Sequence, residues 1–117
     1  MRSAPRTLGT SVTINSGASL SGALDISQYI AGIVHFPAAW TTARLGFYVA
    51  STTGGTFLPY SNSTGLVQVS TVATNNAYEL PSDLAPVRWI KFSSQNSTGV
   101  AVNQLNTARV LILDFYG

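Results

Sequence analysis

Cysteine is absent from this chain, and charged residues make up only 9% of it. Without cysteine there can be no disulfide, no thiolate metal site and no cysteine nucleophile. Disulfides are common in small secreted domains, so their absence favours assembly in a reducing cytoplasm. The charged fraction is far below the roughly 25% of ordinary soluble domains, which is typical of a subunit within an assembly rather than of a free monomer.

Long apolar runs are also missing. The run 110–113 is among the longest, and a helix that spans a bilayer needs about 20 residues. The start of the chain, Met1 to Arg6, is followed by no apolar segment of the kind found in signal peptides. Six basic and four acidic residues give a net charge of +2, which is not a nucleic-acid signature. We therefore expect neither a membrane nor a nucleic acid as partner.

The chain does have the composition of a globular β protein. Hydrophobic residues make up 45% of its 117 residues, which excludes a disordered chain. Turn signals separate about eight short segments with strand patterns, at 10–15, 28–36, 43–51, 57–60, 66–72, 77–80, 87–94 and 108–116. The stretch from Pro81 to Leu84 fits one helical turn. The pattern predicts an all-β fold: a single antiparallel, jelly-roll-like β-sandwich over residues 10–117, preceded by an N-terminal arm at 1–9.

The last two predicted strands, at 87–94 and 108–116, are the most apolar and are interpreted as an interior strand pair. In the second of them Leu111 and Leu113 share one face, while Val110 and Ile112 share the other. Both faces therefore need cover, from the opposite sheet on one side and from another segment or subunit on the other. A ligand groove at the Arg88 and Lys91 ends is the second interpretation.

Side chains that could carry catalysis are few. The sole histidine, His35, is interpreted as a buried or paired structural residue. The four acids, Asp25, Glu79, Asp83 and Asp114, show no spacing that selects a catalytic pair. No serine stands in a nucleophile elbow, and Gly54-Gly55 opens no phosphate loop. We expect no enzyme, no cofactor and no metal.

Three smaller features concern turns and aromatic residues. The paired glycines at 54–55 predict a turn with positive φ angles. Two glycosylation sequons, at 62–64 and 96–98, are interpreted as plain turn residues. Trp40, Tyr48 and Tyr60 could form an aromatic platform for a sugar, with Arg44 or Asp83 bonding its hydroxyls, although aromatic residues in so small a sandwich are more often core or interface.

Several short motifs occur together in a familiar order. They are Ser19 to Ser27, Pro37 to Thr41, Leu45 to Val49 leading to Gly54-Gly55-Thr56-Phe57, Arg88 to Phe92, and Val102-Asn103-Gln104 before Arg109. Their order and spacing resemble a family of small β-sandwich virion proteins encoded in the structural-gene clusters of tailed bacteriophages. At the position before the Gly-Gly turn, where that family commonly has an acidic residue, this chain has Thr53.

The resemblance implies a capsid decoration (cement) protein, and neither an enzyme nor a cofactor. The expected partners are the major capsid protein and further copies of this chain; a trimer would fit a local three-fold site of the capsid. The expected location is the outer capsid surface, after assembly in the host cytoplasm. We expect the capsid or subunit interface to include Arg2, Pro5, Arg6, Tyr48, Trp89, Lys91 and Tyr116. The alternative is a carbohydrate-binding or host-attachment component of a tail or fibre.

Overall fold

The computed structural model describes residues 7–70 and 72–117. Within these residues the chain forms eleven strands and one 3₁₀ turn, η1. In chain order the elements are β1 (Thr7–Ile14), β2 (Leu24–Asp25), β3 (Ala31–His35), β4 (Arg44–Ala50), β5 (Leu58–Pro59), β6 (Ser61–Asn62), β7 (Gly65–Leu66), β8 (Gln68–Val69), β9 (Ala77–Glu79), η1 (Ser82–Leu84), β10 (Trp89–Gln95) and β11 (Arg109–Tyr116). The predicted helical turn is present as η1.

The strands build two main antiparallel sheets. Sheet I has the order β1-β11-β3-β9, and sheet II has the order β2-β10-β4-β5 with β8 also beside β4. The strands β6 and β7 form a separate hairpin. Four nested pairs hold the fold together: β1 with β11, β2 with β10, β3 with β9, and β4 with β5. This nesting of eight strands in two sheets is the jelly-roll arrangement, so the predicted β-sandwich is confirmed.

The core lies between the two sheets and is lined by alternate residues of each strand. Leu111 and Leu113 of β11, and Ile90 and Phe92 of β10, are fully buried in it. The prediction that these two strands form a pair is wrong in one respect. They lie inside different sheets, where β10 pairs with β2 and β4 and β11 pairs with β1 and β3. Alternation along a strand fixes which side chains share a face, but not which strand lies alongside.

The structure also moves the boundary of the first strand. Thr7 to Gly9, predicted as part of the arm, continue the ladder of β1 opposite Tyr116 to Asp114. The hydrophobic alternation becomes clear only at Thr10, because Gly9 interrupts it. Residues 1–6 of the predicted arm lie outside the described residues.

A second correction concerns the turn at 52–56. The turn is present, with the Gly55 N–H donating to the Thr52 carbonyl at 3.2 Å. Neither Gly54 nor Gly55 has the predicted positive φ, which the structure places at Gly17, Gly65 and Gly99 instead. A longer connection of this kind bends without a left-handed residue, unlike a two-residue hairpin turn. Among the described residues, no helix has the length and apolar character needed to cross a membrane.

Candidate functional site

The outward-facing side chains of sheet I form the first candidate site, which we call the sheet I surface. It consists of Thr7, Gly9, Ser11 and Thr13 from β1, Val110, Ile112, Asp114 and Tyr116 from β11, Ala31, Ile33 and His35 from β3, and Ala77 and Glu79 from β9. Val110 and Ile112 are 45% and 54% exposed, although β11 is an interior strand of the sheet. Most of the surrounding side chains are small, so the two aliphatic groups stand on a low, sparsely charged surface.

His35 and Asp114 form an ion pair on the sheet I surface. The His35 Nε2 and Asp114 Oδ2 atoms are 2.9 Å apart, and both side chains are about half exposed. The prediction of a paired structural histidine is therefore confirmed. An exposed pair of this kind contributes little to stability, because water and salt screen it. It leaves the neighbouring Ile112 uncovered.

The outward-facing side chains of sheet II form the second candidate site, the sheet II surface. Its members are Trp89, Lys91, Ser93 and Gln95 from β10, Arg44, Gly46, Tyr48 and Ala50 from β4, and Leu20, Asp25, Pro59 and Gln68 from the flanking segments. Three of the predicted interface residues, Tyr48, Trp89 and Lys91, lie here and are half-buried.

Side chains on the sheet II surface cover one another. The Gln95 side chain is only 3% exposed and lies across Gly46, where an added Cβ would come within 1.7 Å of its Nε2 atom. The Ser93 hydroxyl donates to the Gln95 Oε1 atom at 3.3 Å. The Lys91 ammonium lies 4.6 Å from the centre of the Phe57 ring, which is within range of a cation–π interaction. The centre of this surface, at Gly46, Ser93 and Gln95, is therefore buried, whereas most residues of its flanking segments are exposed.

The predicted interface residues do not form one surface. Tyr116 lies on the sheet I surface, opposite the other three described members on sheet II. The remaining members, Arg2, Pro5 and Arg6, lie outside the described residues. Sequence alternation groups side chains within one strand, but the assignment of each strand to a sheet depends on long-range pairing.

The two surfaces differ in the sign of their charges. The sheet I surface carries the carboxylates of Glu79 and Asp114, whereas the sheet II surface carries the cations of Arg44 and Lys91. The one acid on the sheet II side is Asp25. Hydrogen bonds from the Ser27 side chain and backbone N–H lower the pKa of the Asp25 carboxyl below its ordinary value. A partner of either charge would therefore discriminate between the two surfaces.

The ligand groove predicted at the Arg88 and Lys91 ends is present in part. Arg88, Leu58 and Tyr60 help to line an open concavity of about 480 Å³. Lys91 is not part of its lining, since its side chain lies over Phe57. The concavity is wide and presents one cation, and no described carboxylate or amide side chain lines it.

The predicted sugar platform is not assembled. Trp40 is 5% exposed and packs edge-on against Phe36 in the core, with its indole N–H directed to the Ala43 carbonyl at 3.3 Å. Its prediction as a platform residue is wrong, because the corner that carries it folds inward. Tyr60 packs against the core and its hydroxyl donates to the Asp83 carbonyl at 2.7 Å, whereas Tyr48 lies on the sheet II surface.

The polar groups proposed to bind sugar hydroxyls also have protein partners. Arg44 donates to the Gln68 Oε1 atom at 3.4 Å, and Asn62 donates to the Asp83 carboxylate at 3.1 Å. Among the described residues, no cluster of three or more histidine, aspartate or glutamate side chains could hold a metal ion.

Both sequons lie in turns, as predicted. The Asn62 side-chain oxygen accepts from the Thr64 N–H at 2.8 Å, and the Asn96 oxygen accepts from the Thr98 N–H at 2.9 Å. These side chains replace backbone acceptors in the turns, which is the ordinary structural use of asparagine.

Sequence reasoning missed a buried polar network at one end of the core. Gln104 is fully buried and uses all of its hydrogen-bonding capacity. Its Oε1 atom accepts from the Thr41 N–H at 2.8 Å and from the Arg109 Nε at 3.1 Å. Its Nε2 atom donates to the Thr41 carbonyl at 3.0 Å and to the Ser94 hydroxyl at 2.8 Å. Gln104 thus joins the corner after β3, the strand β10 and the start of β11.

The same network holds a buried cation without a carboxylate. Arg109 is 6% exposed, and besides Gln104 it donates to the Leu105 carbonyl at 2.6 Å and to the hydroxyls of Thr41 and Thr107. The motif that places Gln104 shortly before Arg109 was the available signal. Its meaning depends on Thr41, which is 63 positions from Gln104 and could not be assigned to the network without the fold.

Comparison with known proteins adds a likeness of fold. No protein-family model and no curated protein sequence match this chain. A solved structure described as that of SPBc2 prophage-derived protein YomS is similar to it, with a TM-score of 0.54 and 16% sequence identity over 100% of both chains. At this level of identity the likeness concerns the fold alone, and it extends over the whole sandwich.

Proposed function

We propose that this chain is a structural protein of a bacteriophage particle, and specifically a decoration protein that stabilises the assembled head by bridging major capsid subunits. The observation that carries the proposal is the pair of exposed aliphatic side chains, Val110 and Ile112, on an interior strand. Interior strands are the most rigid part of a sheet, so these groups are held in place for a partner. The similarity of fold to a prophage-derived protein supports the bacteriophage part of the proposal.

The sheet I surface is the docking site in this proposal. Its small side chains allow close approach to a broad protein surface, and Val110 and Ile112 supply the apolar contacts. Contiguous apolar groups that remain exposed on a folded subunit commonly mark such contact sites. Asp114 and Glu79 would meet basic groups of the shell at the rim of the contact.

The mechanism is linkage between binding and shell stability. A docking site formed by two neighbouring capsid subunits exists only in the assembled shell, so occupancy stabilises the shell by mass action. The pairing of Arg2 and Arg6 with capsid carboxylates remains a sequence-based prediction.

The sugar-binding alternative is weaker than the sequence implied. It depended on Trp40, whose ring is buried, and on polar groups that already have partners within the chain. We therefore retain it as an outcome to be distinguished by experiment and not as a second proposal.

Binding of purified variants to shells that lack this protein tests the proposal. Ile112→Glu places a charge in the docking site and should weaken co-sedimentation with shells at least about tenfold, which corresponds to roughly 1.4 kcal/mol. Leu20→Glu is the matched control, because Leu20 is 37% exposed on the opposite surface. The control should bind as the wild type does.

Particles formed without the protein should be inactivated faster by heat or osmotic shock, and added wild-type protein should restore their resistance. Unchanged resistance, or a copy number that matches the tail rather than the shell, would contradict the assignment to the head. Glycan binding by the wild-type protein that is lost in Trp40→Ala, with the fold of the variant intact, would favour the sugar-binding alternative.

A further inference from the structure

The edge of β1 differs from the other sheet edges in this fold. Exposed strand edges invite pairing with other chains, and proteins block them with short strands, charges or proline. The edge strand β9 has three residues and carries Glu79, and β2 has two residues. The strand β5 has two residues, one of which is Pro59. By contrast, β1 has eight residues and contains neither a charged side chain nor a proline.

The hydrogen-bond pattern identifies which groups of β1 point outward. The Leu80 N–H donates to the Gly32 carbonyl, and the Phe36 N–H donates to the Asn76 carbonyl. The backbone N–H and C=O groups of even-numbered residues in β3 therefore point toward β9. Because the backbone groups of successive residues in a strand point in opposite directions, those of the odd-numbered residues point toward β11. The residue pairs between β3 and β11, and between β11 and β1, then show which backbone groups of β11 and β1 point toward each neighbour.

In β1 the even-numbered residues consequently bond to β11, and the odd-numbered residues direct their backbone groups away from the sheet. These residues are Thr7, Gly9, Ser11 and Thr13, and all four are exposed. Within residues 7–70 and 72–117, β11 is the sole strand paired with β1. Four N–H groups and four carbonyls are thus arranged to accept a further strand.

We propose that these groups pair with the β1 strand of a second copy, antiparallel across a two-fold axis. Outward-directed residues must meet outward-directed residues, which restricts the register. With Thr10 opposite Thr10 of the second copy, Thr7 lies opposite Thr13 and Gly9 lies opposite Ser11. This register uses all eight outward groups. It joins the two copies of sheet I into one eight-stranded sheet.

The side chains of β1 are compatible with this pairing on both faces. On the core side Leu8 would lie opposite Val12 of the second copy, so an apolar side-chain pair would cover the junction of the two β1 strands. On the outer side the opposed residues are glycine, serine and threonine, which do not obstruct the approach. A charged side chain on β1 would face the like charge of the second copy across the two-fold axis and repel it, but β1 has no charged side chain.

The nearest acid on the outer face, Asp114, is one strand away from β1 in each copy. The acids of the two copies would be at least three strand spacings apart, about 14 Å. That separation exceeds the screening length of about 8 Å at physiological salt. A second copy is therefore the occupant that this neutral, self-complementary edge fits best.

Sedimentation of the purified chain tests the pairing without any capsid component, so it is independent of the proposed function. The wild type should sediment as a dimer of the 12.3 kDa chain. Ser11→Pro removes an outward N–H and no bond to β11. It should weaken the dimer about 10- to 100-fold, since two symmetry-related hydrogen bonds are lost.

Ser11→Lys is a second variant that avoids any backbone strain from proline, and it should also weaken the dimer. Ala77→Lys adds the same charge to the opposite edge of sheet I, on β9, and should remain a dimer. Far-ultraviolet circular dichroism should be unchanged in all of these variants.

Amide hydrogen exchange provides a residue-specific readout. The amides of Gly9, Ser11 and Thr13 should be protected in the wild type and should exchange rapidly in Ser11→Lys, whereas those of Leu8, Thr10 and Val12 should be protected in both. A wild-type monomer, a trimer, or a dimer with rapidly exchanging odd-numbered amides would overturn the proposal. So would protection of those amides in a monomer, because a segment of the same chain would then occupy the edge.

Discussion

On the sheet II surface, outward side chains of the central strands are buried by their neighbours, whereas on the sheet I surface two aliphatic side chains of a central strand remain exposed. On sheet II, Gln95 lies across Gly46 and Lys91 lies over Phe57, so outward side chains are packed by their own neighbours. On sheet I, Val110 and Ile112 stand exposed beside a half-exposed ion pair. Both surfaces belong to the same sandwich, and the longest strands of each sheet have seven or eight residues. The difference shows that a β-sandwich can bury outward side chains of one sheet by intrachain contacts and leave aliphatic side chains of the other exposed.

Among the polar side chains of this comparison, the buried Gln104 should give the largest effect on stability. Gln104→Ala removes four hydrogen bonds and leaves groups of Thr41 and Arg109 unpaired in the core. We expect the free energy of unfolding to fall by about 2–4 kcal/mol in urea denaturation. Gln95→Ala is the matched control, since Gln95 is equally buried but packs on an outer surface, and it should cost less. Equal losses would contradict this ranking.

Packing on the sheet II surface should give the next largest effect. Gly46→Val would place side-chain atoms where the Gln95 amide lies, and we expect a loss of about 1–3 kcal/mol from overpacking. In a Gln95→Ala background the same substitution should cost much less, because the obstructing amide is gone. Thermal unfolding of the four proteins in a double-mutant cycle measures this coupling. An identical cost in both backgrounds would mean that Gln95 is not what covers Gly46.

The sheet I surface should tolerate substitution in the isolated chain. Ile112→Thr keeps a β-branched side chain at a half-exposed position, so unfolding should change by no more than about 0.5 kcal/mol. Leu113→Ala, one position along the same strand but in the core, should cost about 2–5 kcal/mol. A loss above about 1 kcal/mol for Ile112→Thr in a monomeric variant would show that the surface is already covered within the chain.

The smallest effect should come from Asp25, the acid on the more basic surface. Its folded-state pKa is lowered by hydrogen bonds from Ser27, so its contribution to stability is present above the ordinary carboxyl pKa. That contribution is lost as the pH falls through the lowered value. Asp25→Asn should therefore be slightly less stable than the wild type at neutral pH, and the difference should vanish once the pH is below the lowered pKa. A difference that persists at low pH would point to a role that does not depend on charge.

The strand pattern of this chain could be predicted from its sequence because burial follows a period of two. Leu111 and Leu113 were predicted to share one apolar face of a strand, and the structure buries both. Which of the two apolar faces meets the core was not predicted. The jelly-roll class followed from the number and spacing of such segments. The partners of each strand could not be obtained in this way, which is why β10 and β11 were predicted side by side although they lie in different sheets.

The candidate site was harder to predict than the fold. Tyr48, Trp89 and Lys91 were grouped with Tyr116, but a surface forms from strands that are distant in sequence, and their order is set by long-range pairing. Trp40 shows a related limit, since a corner can turn an aromatic ring either inward or outward. The Gln104 network depends on Thr41 across the fold, and nothing local to either residue indicates the other.

Nested strand pairing has a consequence for how this protein is made. Because β1 pairs with β11, β1 leaves the ribosome long before its partner, and nearly the whole of the described chain must be made in between. During that interval β1 lacks β11 as well as any outer neighbour, so both of its hydrogen-bonding edges are free. Nascent chains translated close together on one messenger RNA would then meet through the same uncharged strand, and the yield of correctly folded protein would depend on how densely the message is translated.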